Sequence, residues 1–144
     1  MRIDRLWYLC DDDTIRPIVR AEALGAPGTW EPVNFLIDTG ADSTVFCAGD
    51  REVLGLPAKQ VDAQLSGIGG LSKAEVIDVQ FRLRQPGKIP VSFRGQFLAA
   101  TNSQSLEMSV LGRDVLSLFA VVVDRPQDIV CLLSQRHRYV IVEQ

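Results

Sequence analysis

The sequence predicts a mostly-β fold, a small closed or nearly closed barrel carrying one short helix in its C-terminal half. Three observations lead there. Short apolar or alternating runs recur along the whole chain, and glycine, proline and aspartate punctuate them at short intervals. One stretch, Leu111, Val115 and Leu118, has the four-and-three spacing of a helix face. Short strands of even spacing without long helices are the pattern of a barrel.

Taken in order, Ile15 to Leu24 places Ile15, Val19 and Leu24 among polar residues and ends at the turn Gly25-Ala26-Pro27-Gly28. Val33 to Ile37 is apolar apart from Asn34, as in a buried strand, and Ser43 to Phe46 reads as a second short strand. Asp50 to Leu56 predicts one or two helical turns stopped by Gly55 and Pro57. Val61 to Leu83 reads as a hairpin whose tip is Ser66-Gly67-Ile68-Gly69-Gly70. Pro86-Gly87 turns the chain into a strand over Ile89 to Ala100, and Leu106 to Leu111 leads to the helical stretch Gly112 to Phe119. Ala120 to Val123 and Ile129 to Leu133 are strands separated by Asp124-Arg125-Pro126-Gln127-Asp128, with a further strand at Tyr139 to Val142. No repeat or linker divides the 144 residues, so one domain is expected over 1–144, with a core at about 15–119 and C-terminal strands at 120–144.

Composition narrows the function. Apolar residues make up 47% and charged residues 23%, a globular balance. A net charge of −3 implies neither a nucleic-acid nor an anionic-membrane partner. Asp11-Asp12-Asp13 reads as a solvated turn. Cys10, Cys47 and Cys131 are odd in number and widely spaced, as expected of reduced thiols in a reducing compartment. His137 is the single histidine, which leaves His-based zinc sites and Ser-His-Asp or Cys-His catalysis unsupported. The charged opening Met1 to Arg5 and the short apolar run after it do not form a signal sequence, and a cytoplasmic protein is expected.

The chemistry concentrates on Asp38-Thr39-Gly40. The apolar strand Val33 to Ile37 delivers Asp38 to the end of a rigid element, Thr39 offers a hydroxyl, and Gly40 permits a tight turn and close backbone approach. Two more features follow in order. They are the glycine-rich tip Gly67-Ile68-Gly69-Gly70 and the run Val110-Leu111-Gly112-Arg113-Asp114, an apolar-apolar-glycine sequence opening a helix.

With these three features in this order the chain resembles the retropepsin family of aspartic proteases, over roughly Ile15 to Phe119. Asp38-Thr39-Gly40-Ala41-Asp42 is similar to that family's active-site loop, and Leu111-Gly112-Arg113-Asp114 to its pre-helix motif. The resemblance implies a closed barrel of the retropepsin, or acid-protease, type. It implies two Asp-Thr-Gly loops facing each other across a two-fold axis and holding one water between two carboxylates that share a proton. The ionised carboxylate would take a proton from the attacking water while the protonated one bonds the peptide carbonyl, with no metal or cofactor. The chain has one Asp-Thr-Gly and no Asp-Ser-Gly, so a homodimer is required.

Further roles follow from the resemblance alone. Thr39 would reach across the axis. Ala41 and Asp42 would face the peptide substrate, with Arg113 as the partner of Asp42. Gly67, Ile68, Gly69 and Gly70 would form a flap over the substrate. Gly112 and Arg113 would support the loop, and Asp114 would be a first-turn residue favoured by the helix dipole. Ala41 adds no side-chain hydrogen bond to the loop, and a pH–rate maximum above pH 4 is expected. The long segments before Ile15 and after Phe119 depart from the viral pattern and match the cellular and bacterial members better. The alternative reading is a catalytically weak or inactive retropepsin-like module for dimerisation or peptide binding.

Overall fold

The computed structural model describes residues 2–67, 70–134 and 142. Ten strands and two short helices alternate in the order β1 (Arg2–Leu9), β2 (Ile15–Leu24), β3 (Trp30–Ile37), β4 (Val45–Phe46), α1 (Ala48–Leu54), β5 (Ala58–Gly67), β6 (Gly70–Leu83), β7 (Val91–Ala100), β8 (Ser109–Leu111), α2 (Arg113–Leu116), β9 (Ala120–Asp124) and β10 (Ile129–Leu133). Six of the strands form a ring in the order β6, β7, β4, β8, β3 and β2. It closes where Glu22 and Ala23 of β2 meet Arg82 and Phe81 of β6. The mostly-β fold and the ring agree with the sequence expectation.

Alternation along the strands explains what the ring encloses. Val19, Ala21 and Ala23 of β2, Val33, Phe35 and Ile37 of β3, and Ile77, Val79, Phe81 and Leu83 of β6 are all buried, each spaced by two residues as a pleated strand requires. All six phenylalanines belong to one aromatic network. Its centre is Phe81, with ring centroids 5.3 Å from Phe35, 5.1 Å from Phe93 and 5.2 Å from Phe97. Such offset and edge-on pairs add to area burial, and truncating Phe81 to alanine would cost about 3–5 kcal/mol.

Four elements differ from expectation. The first is β1, a strand in the opening segment to which the sequence reading assigns no element. Only Ile3 is deeply buried there, so the alternation is too faint to read. The strand forms because β10 pairs along Arg2 to Arg5 and β2 along Leu6 to Leu9. Thus the segments outside the expected core form one unit, β9–β10–β1, attached to the ring through β2. Second, β4 is confined to Val45 and Phe46, because Ser43 and Thr44 belong to the loop described below. Third, α1 begins at Ala48, before the expected Asp50, and ends where Gly55 (φ 59°) donates its N–H to Arg51 O at 3.1 Å. Fourth, the helix expected over Gly112 to Phe119 is the single turn α2. Leu111 and Val115 are buried, but Leu118 on the same stripe is 63% exposed, and nothing packs there to extend the helix.

The expected hairpin is β5–β6, paired down to Gly67↔Gly70, and Ile68 and Gly69 fall outside the described residues. The strand expected at Tyr139 to Val142 and the turn at Gln135 to Arg138 also lie outside them, Val142 excepted. Asp11 to Asp13 do form a turn, with Asp12 paired through two bonds of 2.8 and 2.7 Å to Arg16. That guanidinium holds the Asp12 carboxyl well below the usual carboxylate range. Among the described residues no helix is long and apolar enough to cross a membrane.

Candidate active site

The loop from Asp38 to Thr44 wraps over the end of β8. β3 runs parallel to β8, with Phe35, Leu36 and Ile37 opposite Ser109, Val110 and Leu111, and β4 returns antiparallel on its other side, with Val45 opposite Val110. A chain that climbs one side of a strand and descends the other must cross over its end. The crossing here is Asp38-Thr39-Gly40-Ala41-Asp42-Ser43-Thr44.

Backbone bonds fix this crossing to the segment beneath it. The N–H of Asp38 donates to Leu111 O at 3.2 Å, that of Arg113 to Ala41 O at 2.8 Å, and that of Asp114 to Asp42 O at 3.2 Å. The last two are first-turn donors of α2, which no intrahelical carbonyl can satisfy. The loop therefore caps the helix, and the helix holds the loop. Gly112 passes so close beneath that a Cβ there would lie 2.5 Å from Ser43 O and 2.8 Å from Thr44 N, and would also collide with the Ser43 carbonyl carbon. The Gly112 φ of −93° suits any residue, but only hydrogen fits.

Within the loop, Asp38 accepts the Gly40 N–H on Oδ1 at 2.9 Å, and the Ala41 N–H donates to Asp38 O at 3.2 Å. Asp38 is half-buried, while Thr39 and Gly40 are exposed at the surface of the chain. Gly40 needs no left-handed backbone; what a side chain would meet is Asp38 Oδ1, 3.2 Å from an added Cβ. Asp42 and Arg113 are brought together, Arg113 Nη2 donating to Asp42 Oδ1, but both side chains are largely exposed. Gly67 and Gly70 pair at the far end of β5–β6.

The sequence reading missed the innermost layer of this site. Thr44 is fully buried; its N–H reaches both carboxylate oxygens of Asp114 at 2.9 Å, and its hydroxyl donates to Asp114 Oδ1 at 2.7 Å. The same hydroxyl accepts the Gly112 N–H at 3.1 Å. Asp114 does sit in the first turn of α2 and accepts the Val115 N–H at 2.9 Å, but its carboxylate chiefly anchors the loop. Next to it, Ser109 Oγ donates to Asp50 Oδ2 at 2.5 Å and accepts the Cys47 N–H at 2.9 Å, tying α1 to β8. Burial pushes the Cys47 thiol up from its ordinary value.

A half-buried carboxylate on a rigid crossing, with exposed Thr39 and Gly40 beside it, can polarise water but offers a single acid–base group. Among the described residues no cluster of three or more histidine, cysteine or acidic side chains is arranged to hold a metal ion. A cavity of about 490 Å³ lies elsewhere, lined by residues including Tyr8, Arg16, Asn34, Leu36, Asp50 and Met108, and no residue from Asp38 to Asp42 borders it.

Comparison with known proteins completes the picture. The family model described as retroviral aspartyl protease matches residues 14–123, close to the Ile15 to Phe119 span of the sequence resemblance. The chain is similar to EIAV protease complexed with the inhibitor HBY-793, at 25% identity and a TM-score of 0.54, over 71% of this chain and 86% of that one. It is also similar in fold to a retropepsin-like aspartic protease from Rickettsia conorii, at 21% identity and a TM-score of 0.58, over 92% of this chain and 98% of that one. A search of curated proteins gives no match.

Proposed function

Because the chain belongs to the retroviral aspartyl protease family, we propose that it is an aspartic endopeptidase whose active site is completed by a second copy of itself. The observation that carries this reading is Asp38 itself. It is the only aspartate of an Asp-Thr-Gly sequence in the chain, and it stands half-buried on a crossing fixed to Leu111, Arg113 and Asp114. One carboxylate cannot serve as both acid and base in the same step, and family members typically act as dimers on peptide substrates.

In the proposed homodimer two Asp38 side chains share a proton and hold a water between them. The ionised one takes a proton from the water as it attacks the scissile carbonyl, and the protonated one hydrogen-bonds the carbonyl oxygen. The exposed Thr39 and Gly40 meet their counterparts across the axis. Ala41 and Asp42 line the peptide, and the β5–β6 arm, with Gly67, Ile68, Gly69 and Gly70 at its tip, serves as the flap. Gly112 and Arg113 support the loop from below. The reaction uses no metal or cofactor, and the partners are a second copy and a peptide or protein substrate, with no nucleic acid or membrane. Three free cysteines, Cys10, Cys47 and Cys131, support a cytoplasmic setting.

Digestion of a denatured protein library by the wild type and by Asp38→Asn, with pepstatin as a control, tests this reading. The wild type is expected to cleave and the variant to lose at least about 100-fold in rate. Equal cleavage by both overturns the proposal.

A further inference from the structure

Glu75 of β6 is a carboxylate inside the protein, 8% exposed, and the reaction proposed above does not use it. Two different elements bind it. Gln60 Nε2 of β5 donates to Oε1 at 2.7 Å, and the Arg51 guanidinium of α1 pairs with Oε2. Burying a carboxylate is costly unless charge and hydrogen bonds compensate, so these contacts must persist for the Glu75 side chain to stay buried, while its backbone is held by pairing with Ala99 of β7.

The position of this cluster along the arm gives it a further consequence. From Ala58 to Gln60, β5 pairs regularly with Glu75 to Ile77. The next pairing is Gln64 with Lys73, so Val61, Asp62 and Ala63 stand opposite Ala74 alone. Such an irregularity interrupts the ladder and lets the strands bend. Beyond it lies the outer arm, Gln64 to Gly67 against Gly70 to Lys73, with Thr101 Oγ1 donating to Lys73 O at 3.1 Å. Glu75 and Gln60 are the last regular pair before the break, and Arg51 joins that pair to a helix outside the hairpin.

We propose that Glu75 is a positioning residue: clasped by Arg51 and Gln60, it fixes the root of the β5–β6 arm so that bending is confined to Val61–Ala63. This rests on the reading of the arm as a flap that closes over peptide. Closing a lid held at its root orders only the outer arm, whereas a loose root would have to be ordered as well at each binding event. Glu75 touches no reacting atom and acts through the arm.

Glu75→Gln keeps the size and the bond to Gln60 but removes the charge that holds Arg51. Amide hydrogen exchange on the substrate-free protein is expected to quicken about tenfold or more at residues 58–66 and 71–76 while β2 and β3 keep wild-type protection. In peptide hydrolysis KM is expected to rise several-fold with kcat within about twofold. Arg51→Lys, which retains the positive charge, should restore most of the protection lost in Arg51→Ala. Gln60→Ala removes one hydrogen bond and leaves the ion pair, and should give the same pattern at smaller amplitude; it serves as the test if Glu75→Gln does not fold. Unchanged exchange in the arm, or faster exchange spread evenly over the ring, overturns the proposal. The exchange measurement needs no turnover, so a chain that cleaves nothing would refute the peptidase reading while leaving the positioning role to be decided by exchange alone.

Discussion

Thr44 and Asp114 are 70 positions apart in sequence, yet the Thr44 hydroxyl and N–H both bond the Asp114 carboxylate, at 2.7 and 2.9 Å. Through this pair the return limb of the Asp38 loop is held to the first turn of α2. The threonine is fully buried and its hydroxyl has a second partner in the Gly112 N–H. Thr44→Val preserves shape, leaves the buried Gly112 N–H without its partner and takes one hydrogen bond from the Asp114 carboxylate, which keeps the Thr44 N–H. A loss of about 2–3 kcal/mol is expected in urea denaturation, with faster amide exchange across 38–44. A loss below about 0.5 kcal/mol would show that the loop is held by its backbone bonds alone.

Gly112 and Gly49 make a matched pair for the same question. An added Cβ at Gly112 meets the backbone of Ser43 and Thr44, while at Gly49, in α1, it meets nothing within 4 Å. Gly112→Ala is expected to cost at least about 3 kcal/mol or to prevent soluble expression. Gly49→Ala is expected to be neutral or to stabilise by about 0.5 kcal/mol, since alanine restricts the unfolded chain. Thermal melts of the two variants side by side provide the check.

The Arg113–Asp42 pair calls for separate measurements of stability and activity. Both side chains face solvent, at 56% and 82% exposure, and the loop is already fixed by the backbone bonds beneath it. Arg113→Ala should therefore change stability by less than about 1 kcal/mol, and the difference should shrink at 1 M salt. If Asp42 is to receive substrate in a fixed orientation, the same variant should lower kcat/KM by about tenfold or more. Loss of both in equal measure would show a structural role only.

Burial raises the Cys47 thiol above its ordinary value and does the same for Cys131. The neutral thiol is thus the form the folded chain favours. Its contribution to stability is fully present below the ordinary thiol range and is lost as pH rises through the raised folded value. At pH 8 both cysteines should react with iodoacetamide far more slowly in the folded protein than in urea, as mass spectrometry of the labelled peptides would reveal. Rapid labelling of Cys47 in the native protein would contradict its buried position.

Local patterns were legible in the sequence, whereas pairings across the chain were not. The strand before Asp38 shows as an apolar run, the end of α1 shows in Gly55 and Pro57, and the β5–β6 hairpin shows in its alternation around a glycine-rich tip. β1 was invisible because a strand with one deeply buried residue, Ile3, carries almost no periodic signal, and its existence depends on β10. α2 was over-read because the spacing of Leu111, Val115 and Leu118 says nothing of whether a neighbour covers Leu118. At the site, the Asp38 loop could be found from its own residues. Thr44 could not, because a threonine near a strand start looks the same whether or not an aspartate far downstream is waiting for it.

The pairing of β1 with β10 also bears on how the molecule is made. Arg2 to Arg5 lie against Val130 to Leu133, so β1 leaves a ribosome long before the partner strand it needs. The β1–β2 hairpin and the ring can form during synthesis, but the half of β1 that belongs to β10 must wait with its backbone groups open to other chains. Contacts of such long sequence separation slow folding. Nascent chains stalled before residue 129 should accordingly be prone to pair with one another through that waiting edge.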